Sequence, residues 1–164
     1  MAIAYSLDLV TPLTAAEVAE KLDEIARPQA LFGAGEDAGT LVADGAVTAR
    51  GTWIRVVATK AIPWGDPLIG GRPFGATVSV AFRLDKAADV SDQQDDTVRL
   101  TLGLLGRVPG DAALHLDYED VWLVRQGGEL TLSERSDLWP AHRLAAVPAP
   151  YRRQTQDFFF PEDD

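Results

Sequence analysis

The sequence contains no cysteine among its 164 residues. This absence excludes a disulfide framework, a catalytic thiolate and a zinc site built on cysteine. Histidine is also scarce, because His115 and His142 are the only two, and they lie too far apart for a pair such as H-x-x-x-H. We therefore predict no metal site and no cofactor. Because His115 alternates with Leu114 and Leu116 in a strand-like pattern, we expect its side chain to face solvent.

Long apolar segments are missing as well. No stretch approaches the roughly 20 apolar residues that a membrane-spanning helix requires. Residues 1–8 (MAIAYSLD) lack the basic region and the continuous apolar run of a signal peptide. We therefore expect a cytoplasmic protein with no membrane partner.

Basic residues are fewer than acidic ones. The chain has 25 acidic residues against 15 Lys and Arg, which gives a formal net charge of -10. Such a field repels phosphate backbones and anionic lipid surfaces, so we predict that the protein binds neither nucleic acid nor membrane. A basic protein partner would be attracted. The alternative is that the negative charge serves only to keep the protein soluble.

Two amphipathic helical patterns stand out. The first begins at Thr14, whose spacing to Glu17 is that of a capping box, and ends before Pro28. The second is predicted to begin at Ser91, which has the same spacing to Gln94. Pro109 and Gly110 would close it.

Alternating apolar residues predict the strands. The predicted strands cover residues 3–9, 41–43, 52–58, 77–84, 113–117, 121–126 and 129–134. Short turns join most of them, as at Gly127-Gly128. We therefore predict an α+β fold, with a largely antiparallel sheet of about six or seven strands and both helices on one face. The order β-α-β-β occurs twice along the chain, which would fit a doubled arrangement.

We predict one α+β domain over residues 1–147 and an extended, loosely held tail over 148–164, where proline and charge are frequent. The tail ends in an aromatic and acidic segment, residues 157–164 (DFFFPEDD). Such a segment would serve either as a docking peptide or as a strap packed across its own domain.

Catalytic patterns are absent from the sequence. Ser133, Ser136 and Asp137 lie close to His142, but no G-x-S-x-G elbow surrounds them. The glycines at 33–35 and 70–71 do not form a phosphate-binding fingerprint, because no strand–glycine–helix order surrounds them. We therefore predict that the protein is not an enzyme.

Candidate partner-binding residues fall in two segments. The Pro/Gly-rich loop 61–75 carries aromatic side chains, and the acidic connection 117–120 carries one more. Aromatic side chains in loops and negative patches are typical of protein interfaces. The alternatives are a loop folded back onto the core and a solvated turn. The candidates are Trp64, Asp66, Phe74, Tyr118, Glu119 and Asp120.

Several segments read together resemble the Sit-type immunity family, which protects bacteria against lipoprotein toxins passed between neighbouring cells. They are the opening residues 1–9 (MAIAYSLDL), residues 82–86 (FRLDK) and the block from 111 to 130, which includes VWLVR and GGEL. The similarity spans about residues 1–147. It implies a cytoplasmic antitoxin that binds a cognate toxin without enzymatic turnover, and it carries no family binding residue onto a numbered position.

Our leading hypothesis is thus a non-enzymatic immunity protein whose partner is a cognate protein toxin. The acidic balance is compatible with a basic toxin. The alternative hypothesis is a small-ligand-binding domain that uses the sheet face and the 61–75 loop. The sequence does not indicate the oligomeric state.

Overall fold

A computed structural model describes residues 3–33, 35–60 and 65–161. The helices are Ala15–Ala26 (α1), Ala38–Val42 (α2), Val90–Leu105 (α3) and Ala141–Leu144 (α4). A 3-10 turn, Arg27–Gln29, follows α1. The strands are Ile3–Val10 (β1), Ala46–Val47 (β2), Trp53–Ala58 (β3), Leu68–Ile69 (β4), Arg72–Pro73 (β5), Val78–Leu84 (β6), Asp111–Leu116 (β7), Asp120–Gln126 (β8), Glu129–Leu132 (β9), Arg152–Arg153 (β10) and Phe158–Phe159 (β11).

Within the described ranges the strands form a large eight-stranded sheet and a small three-stranded one. The large sheet has the order β10-β9-β8-β7-β1-β6-β3-β2, and the small sheet has the order β11-β4-β5. Neighbouring strands of the large sheet are antiparallel except β9 and β10, which are parallel. This architecture confirms the predicted α+β fold with a largely antiparallel sheet. The order strand–helix–strand–strand recurs as β1-α1-β2-β3 and β6-α3-β7-β8, with α2 lying between α1 and β2.

Helix α1 begins where the capping box predicts. The Thr14 hydroxyl accepts a hydrogen bond from the Glu17 N–H at 3.1 Å, and the Glu17 carboxylate accepts one from the Thr14 N–H at 3.1 Å. Val18 and Leu22 are fully buried in the core beneath the helix. Helix α1 packs against α3 and against strands β3 and β6. Both long helices therefore cover the same face of the large sheet.

Two local predictions are wrong, and acidic caps explain both. Residues 41–43 do not form a strand, because Asp37 accepts a hydrogen bond from the Thr40 N–H at 3.0 Å and starts α2. Helix α3 begins at Val90 rather than after Ser91, because Asp89 accepts from the Asp92 N–H at 2.9 Å. A carboxylate at a helix start interacts with both the free N–H groups and the helix dipole.

A buried arginine ties the C-terminal helix α4 to α3. Arg143 donates to the Asp95 carboxylate at 2.6 Å and to the Leu138 carbonyl at 3.1 Å, and its guanidinium lies over the Trp122 ring at 5.6 Å. His142 also contacts Asp95 at 2.9 Å. Burial raises the pKa of Asp95, but hydrogen bonds from Arg143 and His142 outweigh it and lower that pKa. The chain beyond α4 is thereby directed back toward β9.

The face of the large sheet opposite the helices has its own apolar cluster. Ile69 of β4 and Phe74 pack there against Ala113, Val121 and Val124, and Phe158 of β11 lies against them. The small sheet thus covers part of this face. The domain boundary at 147 and the looseness of the tail stay predictions.

Gly110 joins α3 to β7 at a point where no side chain fits. Its φ is +104°, and a Cβ at this position would lie 1.9 Å from the Val10 carbonyl oxygen. We expect Gly110→Ala to lower the free energy of unfolding by about 3 kcal/mol or more, because strained φ adds to a backbone clash. Urea denaturation measures the loss.

Gly128→Ala is the matched control. Gly128 also has a positive φ, +82°, but no atom lies within 4 Å of its added Cβ. Only the backbone strain remains, so we expect a loss of about 1–2 kcal/mol. Equal losses in the two variants would contradict a steric role for Gly110.

Candidate functional site

A cavity of about 410 Å³ opens on the sheet face opposite the helices. Its volume lies in the range of small-ligand pockets, roughly 300–1,000 Å³. Strand β1 supplies the floor, because residues 4, 6 and 8 alternate with the core residues and point away from the helices. The other lining residues are Tyr5, Thr59, Lys60, Asp66, Pro67, Phe74, Ala76, Ser79, Ala81, His115, Asp117 and Tyr118.

A buried carboxylate forms the centre of the floor. Asp8 is only 4% exposed. Its Oδ1 accepts hydrogen bonds from Ser6 Oγ at 2.7 Å and from Ser79 Oγ at 2.9 Å. Its Oδ2 lies 2.8 Å from His115 Nε2. Burial raises the pKa of the Asp8 carboxyl, but the hydrogen bond and electrostatic attraction of His115, together with the bonds from Ser6 and Ser79, outweigh it and lower that pKa from its usual value of 3.8. Asp8 is therefore ionised at neutral pH.

The hydrogen bonds of His115 determine its tautomer. The backbone N–H of Tyr118 donates to His115 Nδ1 at 2.9 Å. A ring nitrogen that accepts a hydrogen bond carries no proton, so the proton of the neutral ring is on Nε2 and points at Asp8. Ser6 and Ser79 donate to Asp8 and not to the imidazole. The arrangement therefore differs from a catalytic triad, in which the serine bonds to the histidine.

The prediction that His115 faces solvent is wrong. His115 is only 1% exposed. Phe158 lies edge-on to the imidazole at 5.0 Å, and Tyr118 stacks on it at 4.3 Å. Both contacts come from segments that cover the second face of the sheet, so alternation in β7 gave no indication of them.

The turn between β7 and β8 has an unusual backbone. Asp117 and Tyr118 have φ values of 50° and 60°, in the left-handed region, and the Glu119 N–H closes the turn on the Leu116 carbonyl at 3.0 Å. This conformation costs roughly 1–2 kcal/mol for each such residue. The bond from the Tyr118 N–H to His115 offsets part of that cost and fixes the position of the Tyr118 ring.

Exposed aromatic side chains gather beside this turn. Tyr118, Phe159 and Phe160 are 42%, 61% and 40% exposed, and we call them the aromatic surface. The Tyr118 ring meets Phe160 at 5.4 Å and Phe158 at 5.0 Å. Strand β11 is held in place by its pairing with β4, in which Phe159 lies opposite Leu68. Tyr118 and Phe160 thus contact each other directly, and strand pairing holds the backbone of Phe159 beside them in the chain.

Carboxylates flank the aromatic surface. Asp117 and Glu119 are the chain neighbours of Tyr118, and Asp157 precedes the phenylalanines; all three are exposed, and we call them the acidic rim. Asp120 is partly buried and accepts a hydrogen bond from Arg135 at 2.9 Å. The acidic rim gives the aromatic surface negatively charged surroundings, in keeping with the net negative charge of the whole chain.

The structure brings together part of the predicted partner-binding set. Asp66, Phe74 and Tyr118 line the cavity, and Glu119 and Asp120 follow Tyr118 directly in the chain. Trp64 lies outside the described residues. Phe74 is 2% exposed and packs edge-on to Phe158 at 6.0 Å. The assignment of these residues to a partner surface stays a prediction.

Sequence reasoning missed Asp8 and His115. A carboxylate in the middle of a strongly alternating strand was the available indication for Asp8, because such a residue on a central strand needs hydrogen-bond partners. No comparable feature of the sequence indicated that His115 is buried. In the described part of the chain, no group of three or more His, Cys, Asp or Glu side chains is arranged to hold a metal ion. No helix there is long and apolar enough to cross a membrane.

Comparison with known proteins gives one family. A family model described as SitI3-like matches residues 3–143, which is most of the chain. Neither the curated proteins nor the solved structures give a significant match.

The Asp8 network predicts a pH-dependent contribution to stability. Because folding lowers the pKa of Asp8 from 3.8, its contribution is present above about pH 3.8 and disappears as the pH falls through the lower folded value. We expect Asp8→Asn to cost about 2 kcal/mol or more of unfolding free energy at pH 7, where bonds to a charged group are lost. The difference from the parent protein should shrink below pH 3.8 in urea denaturation.

Asp157→Asn serves as the control, because Asp157 is an exposed carboxylate. It should change the unfolding free energy by less than about 0.5 kcal/mol. A difference between Asp8→Asn and the parent that stays constant from pH 7 to pH 3 would contradict the role given to the Asp8 charge.

Proposed function

The chain belongs to the SitI3-like family, and we propose that it is a cytoplasmic immunity protein that binds and neutralises a cognate protein toxin without catalytic turnover. The observation that carries this proposal is the aromatic surface. Tyr118, Phe159 and Phe160 are among the most exposed large hydrophobic side chains of the described residues; the Tyr118 and Phe160 rings contact each other, and Phe159 is the chain neighbour of Phe160. Clustered exposed aromatics are typical of interfaces with other proteins.

The geometry of this surface suits tight binding. Aromatic rings bury a large area with few rotatable bonds, so they lose little conformational entropy on association. Phe158 and His115 support the Tyr118 ring from below. A surface organised in this way before the partner arrives loses less free energy to ordering when the complex forms.

Charge favours a basic toxin. The acidic rim adds local negative potential to a chain of net charge -10. Complementary fields speed association and orient the partner as it approaches. An immunity protein benefits from fast association, because a toxin molecule acts until it is captured.

The hydrogen bonds of the polar groups in the cavity support the proposal that the protein performs no catalysis. Both ring nitrogens of His115 are engaged, one with Asp8 and one with the Tyr118 N–H. Ser6 and Ser79 each donate a hydrogen bond to the Asp8 carboxylate. A general base needs a free lone pair directed at the proton that it removes, and the His115 lone pair is already used.

The cavity supports a second candidate function. A pocket of about 410 Å³ lined by Phe74 and Asp66 is large enough for a small molecule. In that case the protein would bind a small ligand with the sheet face and the 61–75 loop, and no toxin would be needed. Rescue from a toxin separates the two functions.

The first experiment expresses the chain together with the product of the adjacent gene. We expect the immunity protein to restore growth of cells that make a toxic neighbour, and the two proteins to co-elute in gel filtration. Failure of both rescue and complex formation would leave the small-ligand function as the better explanation.

Variants then test the surface. We expect the double variant Phe159→Ala, Phe160→Ala to weaken toxin binding at least about tenfold, since aromatic hot-spot side chains contribute about 2 kcal/mol or more. Its melting temperature should stay close to that of the parent. Val47→Ala is the matched control, because Val47 is 49% exposed on the edge strand β2. Calorimetry measures the toxin affinity of both variants. Equal losses of affinity would show that the aromatic surface is not part of the interface.

A further inference from the structure

The floor of the cavity holds a buried carboxylate. Asp8 is ionised, accepts hydrogen bonds from Ser6 and Ser79, and pairs with His115. Among the described residues no Lys or Arg lies within 4 Å of Asp8. The contacts that keep Asp8 ionised therefore leave a negative charge at the floor of the cavity.

More negative charge lies around the opening. Asp66 and Asp117 line the cavity and are exposed. Lys60 also lines it. Carboxylates thus outnumber ammonium groups in the lining. The potential inside the cavity therefore favours a positively charged guest.

The wall of the cavity suits a flat cation. The Tyr118 ring lines it together with Phe74. An aromatic face attracts a guanidinium or ammonium group and suits the planar guanidinium best. Tyr118 also belongs to the aromatic surface, so the cavity and that surface are continuous.

We propose that the cavity receives an arginine side chain of the toxin, whose guanidinium enters the negatively charged space lined by Asp8, Asp66 and Asp117, beside the Tyr118 ring. This inference rests on the proposed function. The aromatic surface would provide the apolar contact area, and the cavity would provide the charged anchor of the same interface.

The first test uses a small probe and the complete chain. N-acetyl-arginine amide is titrated into labelled protein, and its neutral isostere N-acetyl-citrulline amide is titrated in parallel. We expect saturable shifts of the Tyr118 amide resonance with the arginine probe and none with the citrulline probe. Equal binding of the two probes would overturn the inference.

A double variant removes the charge at the opening and leaves the buried Asp8 network in place. Asp66→Asn with Asp117→Asn should lower the affinity for the arginine probe at least about tenfold, because the guest loses two carboxylates. Asparagine tolerates the left-handed backbone at position 117, so the turn is kept. Unchanged affinity in this variant would contradict the inference.

The second test uses the toxin. The Asp66→Asn, Asp117→Asn variant should raise the dissociation rate of the complex at least about tenfold, because a buried charge pair is lost. The control Glu119→Gln, Asp157→Asn removes the same charge from residues outside the cavity lining, and it should mainly slow association. Equal dissociation rates for the two double variants would place the arginine elsewhere.

The two proposals fail in different ways. A toxin complex that depends on Phe159 and Phe160 but not on Asp66 and Asp117 would refute the cavity inference and leave the immunity function standing. Binding of the arginine probe without any toxin complex would refute the immunity function, and with it the toxin as the source of the cation.

Discussion

The position of the exposed Tyr118 ring depends on the Asp8 carboxylate. It lies on β1, next to both β6 and β7, and accepts hydrogen bonds from Ser79 on β6 and His115 on β7. Through the other nitrogen of His115 it fixes the Tyr118 N–H, and therefore a turn whose backbone is strained. One buried charge thereby determines where the exposed Tyr118 ring lies, because each hydrogen bond orients the group that makes the next one.

The two faces of the large sheet differ in what they contribute to the protein. The helix side holds most of the buried apolar residues, with α1 and α3 packed on the central strands. The opposite side combines a smaller apolar cluster with the polar floor of the cavity. Stability thus comes mainly from one face, which leaves the other free to carry a buried charge and exposed aromatics that a core would not accept.

Predictions from the sequence were most accurate where the residues that determine a local structure lie close together in the chain. The Thr14 capping box, the alternation of β6 and the Gly127-Gly128 turn are all present in the structure. Prediction failed at residues 41–43, where an Asp37 cap outweighed strand propensity. It also failed at His115, because burial there comes from Phe158 and Tyr118, and the pairing of β11 with β4 joins segments about 90 residues apart. No local pattern encodes such a contact.

The large sheet ends in very short strands. Within the described residues its edges are β10 and β2, each two residues long, and β10 consists of two exposed arginines. A short or charged edge gives another chain few backbone groups to pair with, so it opposes aggregation through strand addition. Under the proposed function the protein would accumulate before a toxin arrives and would spend long periods without a partner. Blocked edges would allow it to remain dispersed at high concentration while its aromatic surface stays uncovered.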